Sequence, residues 1–288
     1  MVLQKLTHLA HAFHGLQMYR QIQEPRYRRQ FLANRDDNLF MGIFDSFEQA
    51  LASAPPARPQ GYDNAGSAAI DYSPRIQFYD YPALFWLSRA IEADMPRIFD
   101  LGGHTGIKYR AFRPLLPRRD ELRWRVCDLP AVVERGRALA AGQEDGGQGL
   151  DFTSDWHDMD GWDVLFASGS LQYLPDTLEQ ILGQVDHKPR RIVLNITAVH
   201  PTLSYFTLNS IGTAFCAYRV QSHSELVRGM RRHGYLRLDS WENVGKSMSV
   251  PFHPEHGLPH YSGFCFELSD AAGEAPSTPW KNASSQTE

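Results

Sequence analysis

Apolar residues change their spacing partway along this chain. Leu3, Leu6, Ala10, Phe13 and Leu16 recur every three or four positions, which lines them along one face of a helix. Leu84, Leu87 and Ile91 do the same within a second predicted helix, Tyr81 to Ala93. Between them, Arg26 to Arg35 is basic around Tyr27, Phe31 and Leu32, a solvated face whose apolar side meets a partner helix or a second subunit. Pro55, Pro56, Pro59 and Gly61 break any helix between Ala52 and Gly66. Residues 1–94 are therefore expected to form a helical cap that closes a site or pairs subunits into a homodimer.

Beyond Met95, short apolar runs alternate with helix-forming stretches. Arg97–Leu101, Arg123–Asp128, Leu150–Thr153, Trp162–Ala167 and Arg191–Ile196 are candidate strands. Tyr109–Leu116, Ala131–Ala141 and Asp176–Val185 are candidate helices between them. Such alternation implies right-handed crossovers and a mostly parallel sheet. After a helix over Glu225–His233, strands Tyr235–Trp241 and Tyr261–Leu268 are joined by a loop, as in an antiparallel pair at the end of the sheet. The expected fold is an α/β, Rossmann-like sheet over residues 95–270. The Ala, Gly, Ser, Pro and Thr of 271–288 offer little to bury and are expected to be disordered.

Composition narrows the setting. Of 288 residues, 42% are hydrophobic and 22% charged, within the range of soluble globular domains. A net charge of −4 supplies no basic surface for nucleic acid. Three scattered cysteines, Cys127, Cys216 and Cys265, form no disulfide framework, and no apolar run reaches the ~18–20 residues of a membrane span. With no secretory signal in Met1–Met18, a cytoplasmic location is expected.

The candidate chemistry gathers where the strands end. Asp100-Leu101-Gly102-Gly103-His104-Thr105-Gly106 is a strand terminus, a glycine turn and a helix start, the arrangement of a nucleotide site. A dinucleotide fingerprint would need glycines where His104 and Ile107 stand, so NAD fits poorly. An acid followed by G-x-x-x-G fits adenosylmethionine, with Asp100 placed to meet its cationic amino end. Asp128 closes the next strand 28 residues later and can accept both ribose hydroxyls, with Leu129 over the adenine. Asp128 can equally be a helix cap ahead of Pro130. Phe152-Thr153-Ser154-Asp155 follows the third strand, where an adenine contact belongs, and Ser168-Gly169-Ser170-Leu171-Gln172-Tyr173 follows the fourth, over the methyl group.

Phe40-Met41-Gly42-Ile43-Phe44, Gly61-Tyr62-Asp63-Asn64, Phe99 to Tyr109 and Ser168 to Leu174 together resemble a bacterial family of class I adenosylmethionine-dependent methyltransferases. Its members are often encoded beside surface-polysaccharide or secondary-metabolite genes. The resemblance runs from about Phe40 to Leu268. It implies that Asp100, Gly102, Gly103 and Gly106 line the methionine part of the cofactor and that Asp128 holds the ribose. His104 departs from the pattern, standing where class I enzymes often carry another glycine.

A hydroxyl acceptor needs a base, and the chain has twelve histidines. His104 either touches the ligand or shapes its turn. His157 follows the third strand, where it either lies near the adenine edge or belongs to a surface loop. His200 follows the fifth strand with Asn195 and Thr197, which places all three as substrate contacts and His200 as a candidate base. Arg219 and His223 are further substrate candidates, although Ser222 or Ser224 beside His223 can simply cap a helix. Gln172 and Tyr173 lie nearest the methyl group by position, Gln172 to orient a ligand and Tyr173 for catalysis or packing. Phe78, Tyr79 and Tyr81 either fold over the cofactor or pack on the sheet. His253, His256 and His260 crowd one loop, but no ligand spacing identifies zinc, so no metal is expected. The sequence thus points to methyl transfer onto an oxygen or nitrogen of a small molecule or glycan sugar. Its rivals are a non-catalytic nucleotide-binding protein and an NAD-dependent sugar oxidoreductase.

Overall fold

The computed structural model describes residues 20–70, 72–142 and 149–269. The predicted helix over Leu3–Leu16 and the tail after 270 lie outside them. In the N-terminal part, α1 (20–33) is followed by β1 (Leu39–Phe44), α2 (Phe47–Ala52), α3 (Ala65–Ala68) and α4 (Tyr81–Glu92). The described part of this N-terminal region is therefore helical with one strand added.

The central part follows the alternation of the sequence. It comprises β2 (Arg97–Leu101), α5 (Ile107–Phe112), β3 (Arg123–Cys127), α6 (Pro130–Ala141), β4 (Leu150–Thr153), β5 (Val164–Ser168), α7 (Leu178–Leu182) and β6 (Arg191–Thr197). Next come β7 (Val199–His200), β8 (Tyr205–Ser210), β9 (Phe215–Ser222), α8 (His223–Arg232), β10 (Tyr235–Asn243) and β11 (Tyr261–Leu268). Seven strands form one sheet in the order β10-β11-β6-β5-β2-β3-β4. β2 to β6 run parallel, while β11 is antiparallel to both neighbours. This is a Rossmann-like, mostly parallel arrangement in which β11 is reversed.

Central strands covered on both faces should be apolar throughout, and β5 and β6 are buried along nearly their whole length. On one face Leu87 and Ile91 of α4, Phe112 of α5 and Val133 of α6 meet Trp124 and Phe166. On the other, Leu182 of α7 and Leu226 and Met230 of α8 meet Phe99, Leu165 and Phe266. Capping agrees with these limits: Pro130 opens α6 at its first turn, and Ser222 caps α8 by accepting the Glu225 N–H.

A second sheet, β1-β8-β9-β7, stands beside the first. β1 pairs antiparallel with β8, so the cap and the insertion after β6 share one sheet. The β8–β9 turn holds Gly212 at φ +83°, and a Cβ there would lie 1.9 Å from the Arg35 carbonyl oxygen. Only glycine allows that approach. The apolar side of α1 packs on its own chain, where Phe31 is fully buried and stacked on Phe215 of β9 at 5.4 Å. Tyr27 and Phe31 of α1, expected to face a partner helix or subunit, are thus used on this sheet. No helix among the described residues is long and apolar enough to cross a membrane.

Candidate active site

The glycine turn leaves β2 through three residues in the left-handed region: Gly102 (φ +75°), His104 (φ +53°) and Gly106 (φ +84°). Asp100 lies beneath it, only 1% exposed, accepting a 3.0 Å bond from Trp124 Nε1. A Cβ on Gly103 would sit 2.3 Å from this carboxylate. Asp100 therefore packs against the backbone of the turn, with one oxygen engaged by Trp124. Burial pushes its pKa up to about 7, with Trp124 opposing and Asp128 adding repulsion.

Asp128, at the end of β3, ties the two strand termini together. One oxygen accepts the His104 N–H and the other the Leu129 N–H, both at 2.8 Å. It does not cap α6, whose N-cap residue is Leu129 with no side-chain bond. Burial raises the Asp128 pKa against the pull of these donors, and burial lowers that of His104. Each carboxylate oxygen retains a lone pair for a further donor, as a ribose diol requires.

His104 is buried, and its Nδ1 has no hydrogen-bond partner. Its Nε2 is 3.5 Å from the Ser67 carbonyl, and the Tyr72 ring meets it edge-on at 5.0 Å. Both neighbours belong to a strap that crosses the turn. Asn64 caps α3 by accepting the Ser67 N–H at 2.9 Å, Ser67 Oγ meets Thr213 Oγ1 at 3.0 Å, and the Tyr62 and Tyr72 hydroxyls meet at 2.8 Å. Nothing in the sequence signalled this strap or its course over His104.

Opposite the turn, Ser168 Oγ is buried and unpartnered, and Ser170 Oγ donates to the Leu101 carbonyl. The Gly169 N–H is held by the Asn195 carbonyl at 2.9 Å. Gln172 donates from Nε2 to the Ile196 carbonyl at 3.3 Å, while its buried Oε1 has no partner. Ile196 itself stands at φ +50° with its N–H bonded to Asn243 Oδ1 at 3.0 Å. That conformation costs a β-branched residue roughly 1–3 kcal/mol and is held by its surroundings. Neither Ile196 nor Asn243 was identifiable in advance, because strain and cross-strand partners have no sequence pattern.

Several expected site residues have other duties. His200 accepts the N–H groups of Thr202 (3.1 Å) and Leu203 (2.9 Å) at Nδ1, and its Nε2 meets the Glu255 carbonyl at 3.1 Å. Both nitrogens are committed, so it has none left to take a substrate proton. Tyr173 OH donates to Asn209 Oδ1 at 3.0 Å, and burial drives its pKa far upward, which makes it packing and no base. Asn195 donates to Asp80 (3.2 Å) and accepts from Trp241 (3.1 Å) and Asn243 (2.8 Å), so its amide is spent inside the protein. Asp80 also receives Lys108 at 2.7 Å on both oxygens, anchoring α4. Next to Asp80, Phe78 and Tyr81 are exposed, the Tyr79 carbonyl accepts from Asn243, and Phe78 and Tyr79 lie against Gly245 and Lys246. Phe152 is inside the core with Val126 and Val133, and Thr153 Oγ1 donates to Asp158 at 2.6 Å. His223 opens α8 and contacts Arg237 at 3.0 Å, away from the turn's partners. Thr197 and Arg219 do come together with Gln172, around a small groove also lined by Thr177 and Gln221.

No family model and no curated protein matches the chain. Among solved structures it is similar to a 1,6-didemethyltoxoflavin-N1-methyltransferase of Burkholderia thailandensis, described with 1,6-didemethyltoxoflavin and S-adenosylhomocysteine. Identity is 19% and the TM-score 0.44, over 66% of this chain and 80% of that one. It is also similar to the magnesium protoporphyrin IX methyltransferase of Synechocystis, described with bound SAM. There identity is 11% and the TM-score 0.44, over 72% of this chain and 93% of the other.

Proposed function

We propose that this protein is an S-adenosylmethionine-dependent methyltransferase acting on a hydroxyl-rich small molecule or sugar. One observation carries the reading. His104 Nδ1, Ser168 Oγ and Gln172 Oε1 are buried without partners, and all three belong to the turns at the carboxyl ends of β2 and β5. A buried polar group without a partner costs about 1–3 kcal/mol, so three at the turns of two neighbouring strands point to a polar ligand that completes them. The crevice outside the carboxyl ends of parallel strands is where open α/β sheets bind ligands.

The residues present fit the cofactor. Asp128 offers carboxylate lone pairs for the ribose hydroxyls, Leu129 an apolar surface beside them, and Gly102 to Gly106 a backbone free of side chains except at His104 and Thr105. His104 Nδ1 and Ser168 Oγ are the polar contacts available to the amino-acid part. Bound adenosylmethionine supplies an electrophilic methyl group on sulfur. The protein's share is to hold the acceptor in line with it, and such positioning supplies much of the rate.

The groove sets the polar Gln172, Thr177, Thr197, Arg219 and Gln221 beside the apolar Leu171, Leu178 and Ala198, a mixture that suits a sugar-like acceptor with both hydroxyls and C–H faces. Arg219 is steadied there by stacking on Phe206 at 5.3 Å and by donating to the Pro175 carbonyl. The resemblance to methyltransferases encoded beside surface-polysaccharide genes adds support for a sugar. With His200 and Tyr173 both engaged, no candidate base lies in the groove. That favours an amine of such a molecule, which attacks in its neutral form before losing a proton, over one of its hydroxyls, and it is the one observation in favour of a binding protein without turnover.

Calorimetry with adenosylmethionine, adenosylhomocysteine and NAD, followed by turnover on amino-sugar and sugar acceptors, tests the reading. Both sulfur ligands should bind and NAD should not. Binding of NAD alone would overturn the cofactor assignment, and binding without turnover on any acceptor would leave only the binding-protein reading.

A further inference from the structure

The loop between β10 and β11 closes on itself, with Met248 and Leu258 exchanging backbone hydrogen bonds of 2.9 and 2.8 Å. At its tip a single 3-10 turn, Pro254–His256, collects three side chains that the proposed crevice does not use. One ligand atom each from His253, Glu255 and His256 lies within 4.8 Å of the others. Glu255 Oε1 is 3.0 Å from His256 Nδ1 and 4.0 Å from His253 Nδ1. The two imidazole rings meet edge to face at 5.8 Å.

The backbone beneath them is fixed by the second sheet. His200 holds the Glu255 carbonyl, and Tyr205 OH donates to the His256 carbonyl. The Tyr205 ring also packs edge-on against the His256 ring at 4.8 Å. Phe252, just before the triad, is kept at φ +70°, a conformation costly for a bulky residue. The nearby Arg20, stacked on Phe252, is paired with Glu24 at 3.3 Å.

We propose that His253, Glu255 and His256 bind one divalent transition-metal ion of the zinc class. Zinc holds imidazole nitrogen at about 2.0–2.1 Å and carboxylate oxygen at about 2.0–2.2 Å, so tetrahedral ligand atoms stand roughly 3.3–3.5 Å apart. The present separations of 3.0 and 4.0 Å lie on either side of that value. Small rotations of half-buried and exposed side chains close the difference. Two imidazoles with a single carboxylate select against magnesium and calcium, which take oxygen ligands, and suit zinc, nickel or copper. Three protein ligands leave a fourth position for water. The role that follows is to stiffen the tip of this loop, whose backbone His200 and Tyr205 already hold against the second sheet.

The test uses untagged full-length protein stripped with a chelator and titrated with zinc, and with cobalt for its visible bands. One equivalent should bind, with the strong visible absorption of a four-coordinate site. His253→Ala/His256→Ala should lower affinity at least about tenfold, while Glu255→Gln should weaken it without altering the fold. The double variant also discriminates against His8, His11 and His14, which it leaves in place. Should the double variant fail to fold, the exposed Glu255→Gln decides by itself. No binding to the parent chain, or affinity unchanged in these variants, overturns the proposal.

Discussion

Two carboxylates separated by 28 residues share one turn and divide its work. Asp128 holds the His104 and Leu129 N–H groups and has lone pairs to spare, so its substitution separates structure from binding. Asp128→Asn keeps an acceptor for one N–H but presents an amide NH2 donor where a ribose hydroxyl would donate. Calorimetry should show adenosylmethionine affinity falling at least about tenfold, the worth of one lost hydrogen bond to a charged group, with the circular dichroism spectrum unchanged. An unaltered affinity would falsify the ribose assignment. Asp100 acts on stability. Its folded pKa of about 7 lies above the ordinary 3.8, so between those values the native state holds a proton that the unfolded chain has released. Native stability contributed by this group therefore falls as pH rises through that window. Asp100→Asn keeps an oxygen for Trp124 and removes the titration. Urea unfolding at a series of pH values should show a flatter profile for the variant than for the parent; identical slopes would contradict it.

At the scale of elements, the pattern of apolar residues placed nearly every member of the large sheet. β2 to β6, β10 and β11 coincide with the expected runs to within two residues at either end, as do α4 and α6. The second sheet escaped that pattern. β8 and β9 lie in a stretch that shows no clean alternation, because both faces are largely buried, and their partner β1 is contributed by the cap. Pairing across so long a separation in sequence leaves no local periodicity to detect. Gly212 is where this sheet is most sensitive. Gly212→Ala places a methyl group against the Arg35 carbonyl in a backbone region hostile to alanine. Hydrogen exchange should then quicken in β1 and β8 while the seven-stranded sheet keeps its protection, and uniform protection throughout would refute this division.

For the molecule as a whole, the sequence by itself determined the α/β class, the reversed final strand and the glycine turn. Each depends on residues close together in the chain: strand-forming runs, helix periodicity, and glycines where the backbone must turn. The same local logic located Asp100, Asp128 and Gln172 at strand ends, since a strand's terminus is a property of its own segment. Tertiary structure decided what those side chains do. Asp100 is drawn under the turn by Trp124 and the missing Cβ of Gly103, and Asn195 is consumed by Asp80, Trp241 and Asn243. His200 looked like a free base because its partners, Thr202, Leu203 and Glu255, bind it through backbone atoms whose position no residue type announces. Conversely, His253, Glu255 and His256 became a set of ligands only when a single turn folded against the second sheet. Composition and spacing record what each segment can form locally; hydrogen-bond commitment and burial are settled among segments far apart in the chain, and only the folded molecule brings those together.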